Sequence, residues 1–490
     1  MFELELPERF RRYVPLTVWL IVAFVLLLIP FKIISYGYLP DDDALRYAAK
    51  AVSGKTWPEI LVLGDAFKID HNLGWNGLLG AVHGVTGWNA EGMVIFSVVA
   101  LFLLVNGAVL PWLKRPEAWL AVLLTAMIVS DVPQRFLAGR PFALSIAALM
   151  VVLIVAQKSR PALRYFLLFS ALITAGTYFH GVWYLWLLPV AAFFFAGEFS
   201  WALLLAGAWL TGTAGSGLLT GHPVVYISNA FMIAIHGLGQ HATASTEVTE
   251  FRPFGGGTLA VFAFGALVGL RMLVKLNAPA FARSPAFWLM CGCWMLGFRV
   301  DRFWEDWGWP ALMVLMATDL ERLLQLHFNA DSLRRLLLAM ILGVATFLAV
   351  TADFSSRYTQ NLTWQFLTPE APGMAGWMPE PGGVLYSADM NVFYRTFYKN
   401  PAGEWRYILG YESTLMPAED FKTFKNIIWN HNAAEAYLPW VEKMKPADRL
   451  VIPGNGAVPP NLPQLEWNYG VTGLWIGRLP RTNGTFNLLH

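Results

Sequence analysis

The sequence predicts an all-α multi-pass membrane domain of about eleven transmembrane helices, followed by a small C-terminal α/β extracytoplasmic domain. Three observations lead there. Charged residues are too scarce to coat a soluble protein of this length, apolar stretches of spanning length recur as far as Val350, and the chain beyond that point changes character. Only 14% of the 490 residues are charged, 56% are hydrophobic and mean hydropathy is +0.48. Soluble domains carry about 25% charge, so several water-facing domains of roughly 150 residues each are excluded, and a soluble enzyme with them. A net charge of +2, with no run of Lys or Arg, excludes nucleic acid as a partner. Cys291 and Cys293 sit two apart in an apolar run, point to different sides of a helix and read as packing residues.

Taken in order, the expected spans cover residues 13–35, 92–112, 117–131, 141–157, 162–179, 181–197, 199–217, 257–275, 285–300, 308–326 and 335–352. Each is close to the length that crosses a ~30 Å hydrocarbon layer. The first follows Arg9, Arg11 and Arg12 and has no small-residue cleavage site behind it, so it reads as a retained helix. Lys114/Arg115, Lys158/Arg160/Arg164, Arg271/Lys275/Arg283 and Arg322/Arg334/Arg335 fall on alternate turns, which the positive-inside rule assigns to the cytoplasm together with the N-terminus. An odd number of spans then puts the C-terminal part outside, in the periplasm of a Gram-negative host, with the plasma (bacterial inner) membrane as the location.

The division is therefore 1–352, membrane domain, and 353–490, soluble extracytoplasmic domain. In the second part Pro372-Gly373, Pro381-Gly382-Gly383 and Pro459-Pro460 punctuate strand-like runs at Gly383–Ser387, Arg449–Ile452 and Gly473–Ile476, with a helical stretch at Ala418–Asn430. Asn361 and Asn483 begin glycosylation sequons.

The outward loops hold the candidate chemistry. Residues 37–91 open with Pro40-Asp41-Asp42-Asp43-Ala44, a helix-start pattern in which carboxylates meet free backbone N–H groups. Leu45, Ala48, Ala49 and Val52 then recur at helical spacing, with Arg46 and Lys50 on another stripe, which predicts an amphipathic helix lying on the outer membrane surface.

Asp42-Asp43-Ala44, the aromatic-containing helix after it and Ser53-Gly54, directly behind the first span, resemble the GT-C superfamily of integral membrane glycosyltransferases. The layout of many spans, an acidic first outer loop and a C-terminal outer domain is similar too. The resemblance implies a polyprenyl-phosphate-linked sugar donor whose tail stays in the lipid bilayer, an extracytoplasmic acceptor (glycan, lipid or protein) and transfer with inversion. It makes Asp42 or Asp43 the base and Asp131, in the second outer loop, a second acidic catalytic residue; Asp131 equally fits a cap for the Val132-Pro133 turn. Asp41 lies outside the pair and joins Arg46 as a substrate-binding candidate. Such transfer suits these residue types, because a carboxylate can draw the proton from the attacking hydroxyl while cations hold the phosphate that leaves.

Arg135, Arg140, Arg299 and Arg302 stand at outer boundaries, suited to phosphate or to lipid headgroups, with Arg302 the preferred phosphate partner. Trp304, Trp307 and Trp309 fit an interfacial aromatic belt or a platform for sugar rings. His180 follows the fifth span and is a substrate-binding candidate, although a lone histidine at a span end equally fits a local hydrogen bond. The loop of residues 218–256 carries His222, His236 and His241 and runs on into Gly255-Gly256-Gly257; its apolar middle suggests a re-entrant or surface helix and its glycines a movable cover, and it shows no third ligand for zinc. No cofactor is required, although the triplet could hold Mg²⁺ or Mn²⁺ through oxygen ligands. An O-antigen polymerase or ligase is the alternative, disfavoured because its large outer loop lies between spans. A transporter is disfavoured by the absence of an internal repeat and of mid-span ionisable residues.

Overall fold

The computed structural model describes residues 7–41, 43–65, 67–129, 132–239, 252–253, 265–266, 268–269, 281–454, 458–471 and 473–480. The chain forms α1 (Val14–Ile34), α2 (Asp43–Ser53), α3 (Leu73–Thr86), α4 (Ala90–Val109), α5 (Glu117–Val129), α6 (Val132–Leu137), α7 (Phe142–Lys158) and α8 (Leu163–His180). It continues through α9 (Leu187–Phe195), α10 (Phe199–Leu219), α11 (Pro223–Gly239), α12 (Pro285–Gly297), α13 (Trp309–His327) and α14 (Leu333–Thr351). Every expected span falls on helix except the eighth, residues 257–275, most of which lie outside the described residues. Among the described residues four helices, Val14–Ile34, Ala90–Trp112, Phe199–Leu219 and Leu333–Thr351, are each long and apolar enough to cross a bilayer alone. Several others are shorter and apolar, so the count of eleven crossings is not reproduced by length and composition.

The surface of these helices marks a membrane protein. Along α1, Leu16, Leu20, Phe24, Leu27 and Phe31 are exposed at helical spacing, and along α14 Leu337, Met340, Ile341, Val344 and Leu348 repeat the pattern. Stripes of this kind belong against lipid and would be liabilities in water. Inside the bundle, small residues allow close approach: a Cβ at Gly212 of α10 would stand 2.8 Å from the Ile173 side chain of α8. Three of the basic turns expected in the cytoplasm, those of Lys114/Arg115, Lys158 and Arg335, meet acidic partners from α5 and α13. Arg335 at the start of α14 forms a bidentate pair with Glu117 at the start of α5, at 2.7 and 3.1 Å, and Lys158 binds Glu321.

Beyond α14 the chain builds β1 (Val384–Ser387), α15 (Met390–Lys399), β2 (Arg406–Tyr407), α16 (Ala418–Trp429), α17 (Leu438–Lys443), β3 (Arg449–Pro453), β4 (Glu466–Val471) and β5 (Leu474–Arg478). The sheet order is β2-β1-β3-β5-β4, parallel across β2, β1 and β3 and antiparallel from β3 onward. The expected strand runs became β1, β3 and β5. β2 is two residues long and β4 an edge strand, so neither has a strong alternation to read. Alternate side chains divide the sheet. Tyr386, Leu450 and Ile452 pack with Phe424, Ile427 and Trp440 from α16 and α17, whereas Leu385 and Val451 join a core continuous with α15 and the membrane helices.

One expectation is corrected here. The helix over Asp43–Ser53 exists, but it is no surface helix with a wet basic stripe, since Leu45, Arg46, Tyr47, Ala48 and Ala49 are all buried. The physical reason is that α15 packs on the side meant for water while α3 and α4 take the others. The sequon residue Asn361 is also buried, its amide donating to the Gly37 carbonyl at 2.7 Å; Asn483 lies outside the described residues. The early loop joins the tail directly. Leu61 pairs in parallel with Tyr407, the Val62 N–H donates to the Tyr407 carbonyl at 2.9 Å, and the Gly64 N–H donates to Leu415 at 2.7 Å. Residues 37–64 are thus built into the unit that the C-terminal sheet forms.

Candidate active site

The N-terminus of α2 lies at the seam between helix bundle and tail. Asp41 pairs with Arg395 of α15, whose Nε donates at 3.0 Å and whose guanidinium lies 4.0 Å above the Trp364 ring. Asp42 lies outside the described residues. Asp43 Oδ1 accepts from Arg46 Nε at 2.7 Å and from the Tyr394 hydroxyl, also on α15, at 2.9 Å. Burial pushes the Asp43 carboxyl up, but the charges of Arg46 and Arg140, with these hydrogen bonds, hold it well below the usual carboxylate range.

Arg46 is only 2% exposed and lies between two aromatic rings, 4.1 Å from the centroid of Tyr47 and 3.9 Å from that of Tyr411. Its Nη2 donates to the Tyr47 hydroxyl at 2.9 Å, while Nη1 is enclosed with no hydrogen-bond partner among the described residues. Gly139 explains how Arg140 comes near. With φ of +66° and a Cβ position 3.0 Å from the Ala44 side chain, only glycine lets this turn pass against α2.

A second group gathers on Asp306, which is buried in a π-helical turn at Trp304–Gly308. Arg135 reaches its Oδ1 through Nε at 2.9 Å and Nη2 at 2.8 Å, and Arg302 Nε reaches Oδ2 at 3.0 Å. Glu305 adds a further contact to Arg135 at 3.4 Å. Arg302 and Asp306 line a small cavity with His180, Phe142, Ser145 and Trp307. His180 ends α8, where Gly181 turns the chain at φ +63°, and its Nδ1 is enclosed without a hydrogen-bond partner among the described residues.

The remaining candidates are placed as follows. Arg299 is exposed beside this turn, and Asp131 lies outside the described residues. Trp304, Trp307 and Trp309 are 6%, 3% and 1% exposed and pack inside the bundle, with Trp304 against Trp309 and Trp307 edge-on to Trp186. They therefore form no belt facing headgroups, and Trp304 presents no open face for a sugar. His241 and Gly255–Gly257 lie outside the described residues, as does the side chain of His236.

Several groups that complete the junction carry no motif of their own. Tyr394, Tyr411 and Glu412 come from the tail, where no motif announces them. His71 sits in the loop before α3, with Nε2 4.0 Å from Glu412 Oε1 and its ring 6.0 Å from that of Tyr411. Its neighbour Asp70 is buried and holds the loop by accepting from Trp57 Nε1 at 2.8 Å, Asn76 Nδ2 at 2.6 Å and the Asn72 N–H at 2.9 Å. Among the described residues no three His, Cys, Asp or Glu side chains gather as metal ligands. The two described carboxylates of the triplet face Arg395 and Arg46.

The junction thus combines carboxylates, guanidinium groups and imidazoles at the rim of an apolar helix bundle. Such a set can hold an anionic headgroup and exchange a proton beside it. No family model matches the chain, and no curated protein is significantly similar to it.

Proposed function

We propose that the protein is a membrane glycosyltransferase of the GT-C type, which moves a sugar from a polyprenyl-phosphate-linked donor to a hydroxyl on an extracytoplasmic glycan, lipid or protein. The single observation that carries this reading is Asp43 held between Arg46 and Arg140 at the end of the apolar helices, with Arg302 and His180 across the same junction. The donor's isoprenoid tail remains in the bilayer, and its phosphate is drawn to the guanidinium groups. A carboxylate receives the proton of the attacking hydroxyl; in the triplet, Asp42 and Asp43 are the candidates. One displacement inverts the anomeric carbon, and phosphate leaves without needing an acid, because arginines stabilise its charge. No metal takes part in this scheme. The membrane is the bacterial inner membrane, with the N-terminus in the cytoplasm and the tail outside.

The test is sugar transfer by the full-length protein in lipid vesicles supplied with a polyprenyl-phosphate sugar, the donor first being identified by mass as the lipid-linked sugar that accumulates in cells lacking the protein. Asp43→Asn is expected to lower the rate about a hundredfold or more, and EDTA to leave it unchanged. Full activity in Asp43→Asn would remove Asp43 from the site, and the absence of any accumulating lipid-linked sugar would remove the function.

A further inference from the structure

The tail delivers one carboxylate to the junction that no guanidinium pair absorbs. Glu412 follows β2 at the carboxyl end of the parallel strands. In the order β2-β1-β3 the chain leaves β1 for β2 on one side and returns to β3 on the other. Tyr411, stacked on Arg46, fixes the backbone from which Glu412 projects. The carboxylate has Oε1 4.0 Å from His71 Nε2, while Oε2 is enclosed and accepts no hydrogen bond from the described residues; 30% of the side chain stays exposed at the junction. Asp43 is the contrast, since its Oδ1 receives two donors and cations flank it. A carboxylate tied down in this way is a weak proton acceptor, and one with an unsatisfied oxygen is a stronger one.

We infer that Glu412, paired with His71, is the base that takes the proton from the acceptor hydroxyl, leaving Asp43 to hold charge beside the reacting carbon. This rests on the sugar-transfer reading above. In the step, the acceptor O–H gives its proton to the Glu412 carboxylate and its electron pair forms the bond to the anomeric carbon. The bond from that carbon to the phosphate oxygen breaks with its pair on phosphate, and Glu412 later returns the proton to water. The charged groups acting on Glu412 are His71 from the loop before α3, Arg46 and Asp43 from α2, and Arg302 from the turn before α13. Burial raises the Glu412 carboxyl above the ordinary range, and the charges of His71 and Arg46 offset this only in part.

The experiment is the pH profile of kcat for the full-length protein in vesicles, with Glu412→Gln, Glu412→Asp, His71→Asn and Asp43→Asn. The wild-type rate should fall on acidification along a limb whose apparent pKa lies above the free-glutamate value of about 4.3. Glu412→Gln should lower kcat about a hundredfold with donor KM little changed and the limb gone. Glu412→Asp should keep the limb at a reduced rate, and His71→Asn should move it to higher pH. If Glu412→Gln keeps the limb and Asp43→Asn abolishes it, the base is Asp43; the inference falls and sugar transfer stands. Wild-type protein that transfers no sugar overturns both.

Discussion

At Arg46 a single side chain ties three parts of the molecule together. Its charge belongs to Asp43 on its own helix, its plane to Tyr47 and to Tyr411 of the tail, and its burial to the tail that covers it. A lysine would keep the charge but lose both the plane that fills the gap between two rings and the second donor. Arg46→Lys should therefore lower kcat/KM about tenfold and stability by about 1 kcal/mol, measured by transfer assay and by unfolding in detergent. A variant indistinguishable from wild type in both would show that charge alone matters there. Residue type and loop position drew attention to Asp43, Arg46, Arg135, Arg140, His180 and Arg302, and the structure places them near one another. Glu412, His71 and Tyr394 escaped because their meaning lies in contacts such as Tyr394 with Asp43, 351 positions apart. Trp304 misled for a related reason: tryptophan near a span end favours a headgroup belt in general, but here neighbouring helices close over it.

The helices were the most legible elements, because apolar runs and basic turns are properties of the local sequence. α2 was legible as a helix and misread as a surface one, since its pattern of Leu45, Ala48 and Ala49 says which face is apolar and not what covers the other. The ends of α5 and α14 offer a measurement independent of the site. Glu117 is fully buried, and Arg335, 2.7 Å away, is 3% exposed. Neutralising one partner leaves an uncompensated buried charge, a change that destabilises by about 3 kcal/mol. Glu117→Gln should show a loss of that order in unfolding experiments while retaining kcat at 25 °C. A loss below about 0.5 kcal/mol would mean that water reaches the pair, as it does in exposed ion pairs.

Across the whole molecule, the composition boundary near residue 352 does not divide two independent bodies. The core cluster runs without a break from Val22 and Leu26 in α1 through Tyr47 and Trp57 to Phe393 and Val451 in the tail. A chain ending at Ala352 should insert in the membrane yet expose Tyr47, Ala48 and Trp57, bind hydrophobic dyes and transfer no sugar; a monodisperse, active truncation would contradict the shared core. The parallel bridge between Leu61 and Tyr407 also sets an order of events during synthesis. At roughly 5–20 residues per second, the segment around Leu61 waits roughly 17 to 70 seconds for its partner strand to leave the ribosome. Throughout that interval Asp43 and Arg46 lack the cover that Tyr394 and Tyr411 supply, so a nascent or prematurely terminated chain presents bare what the finished protein keeps enclosed.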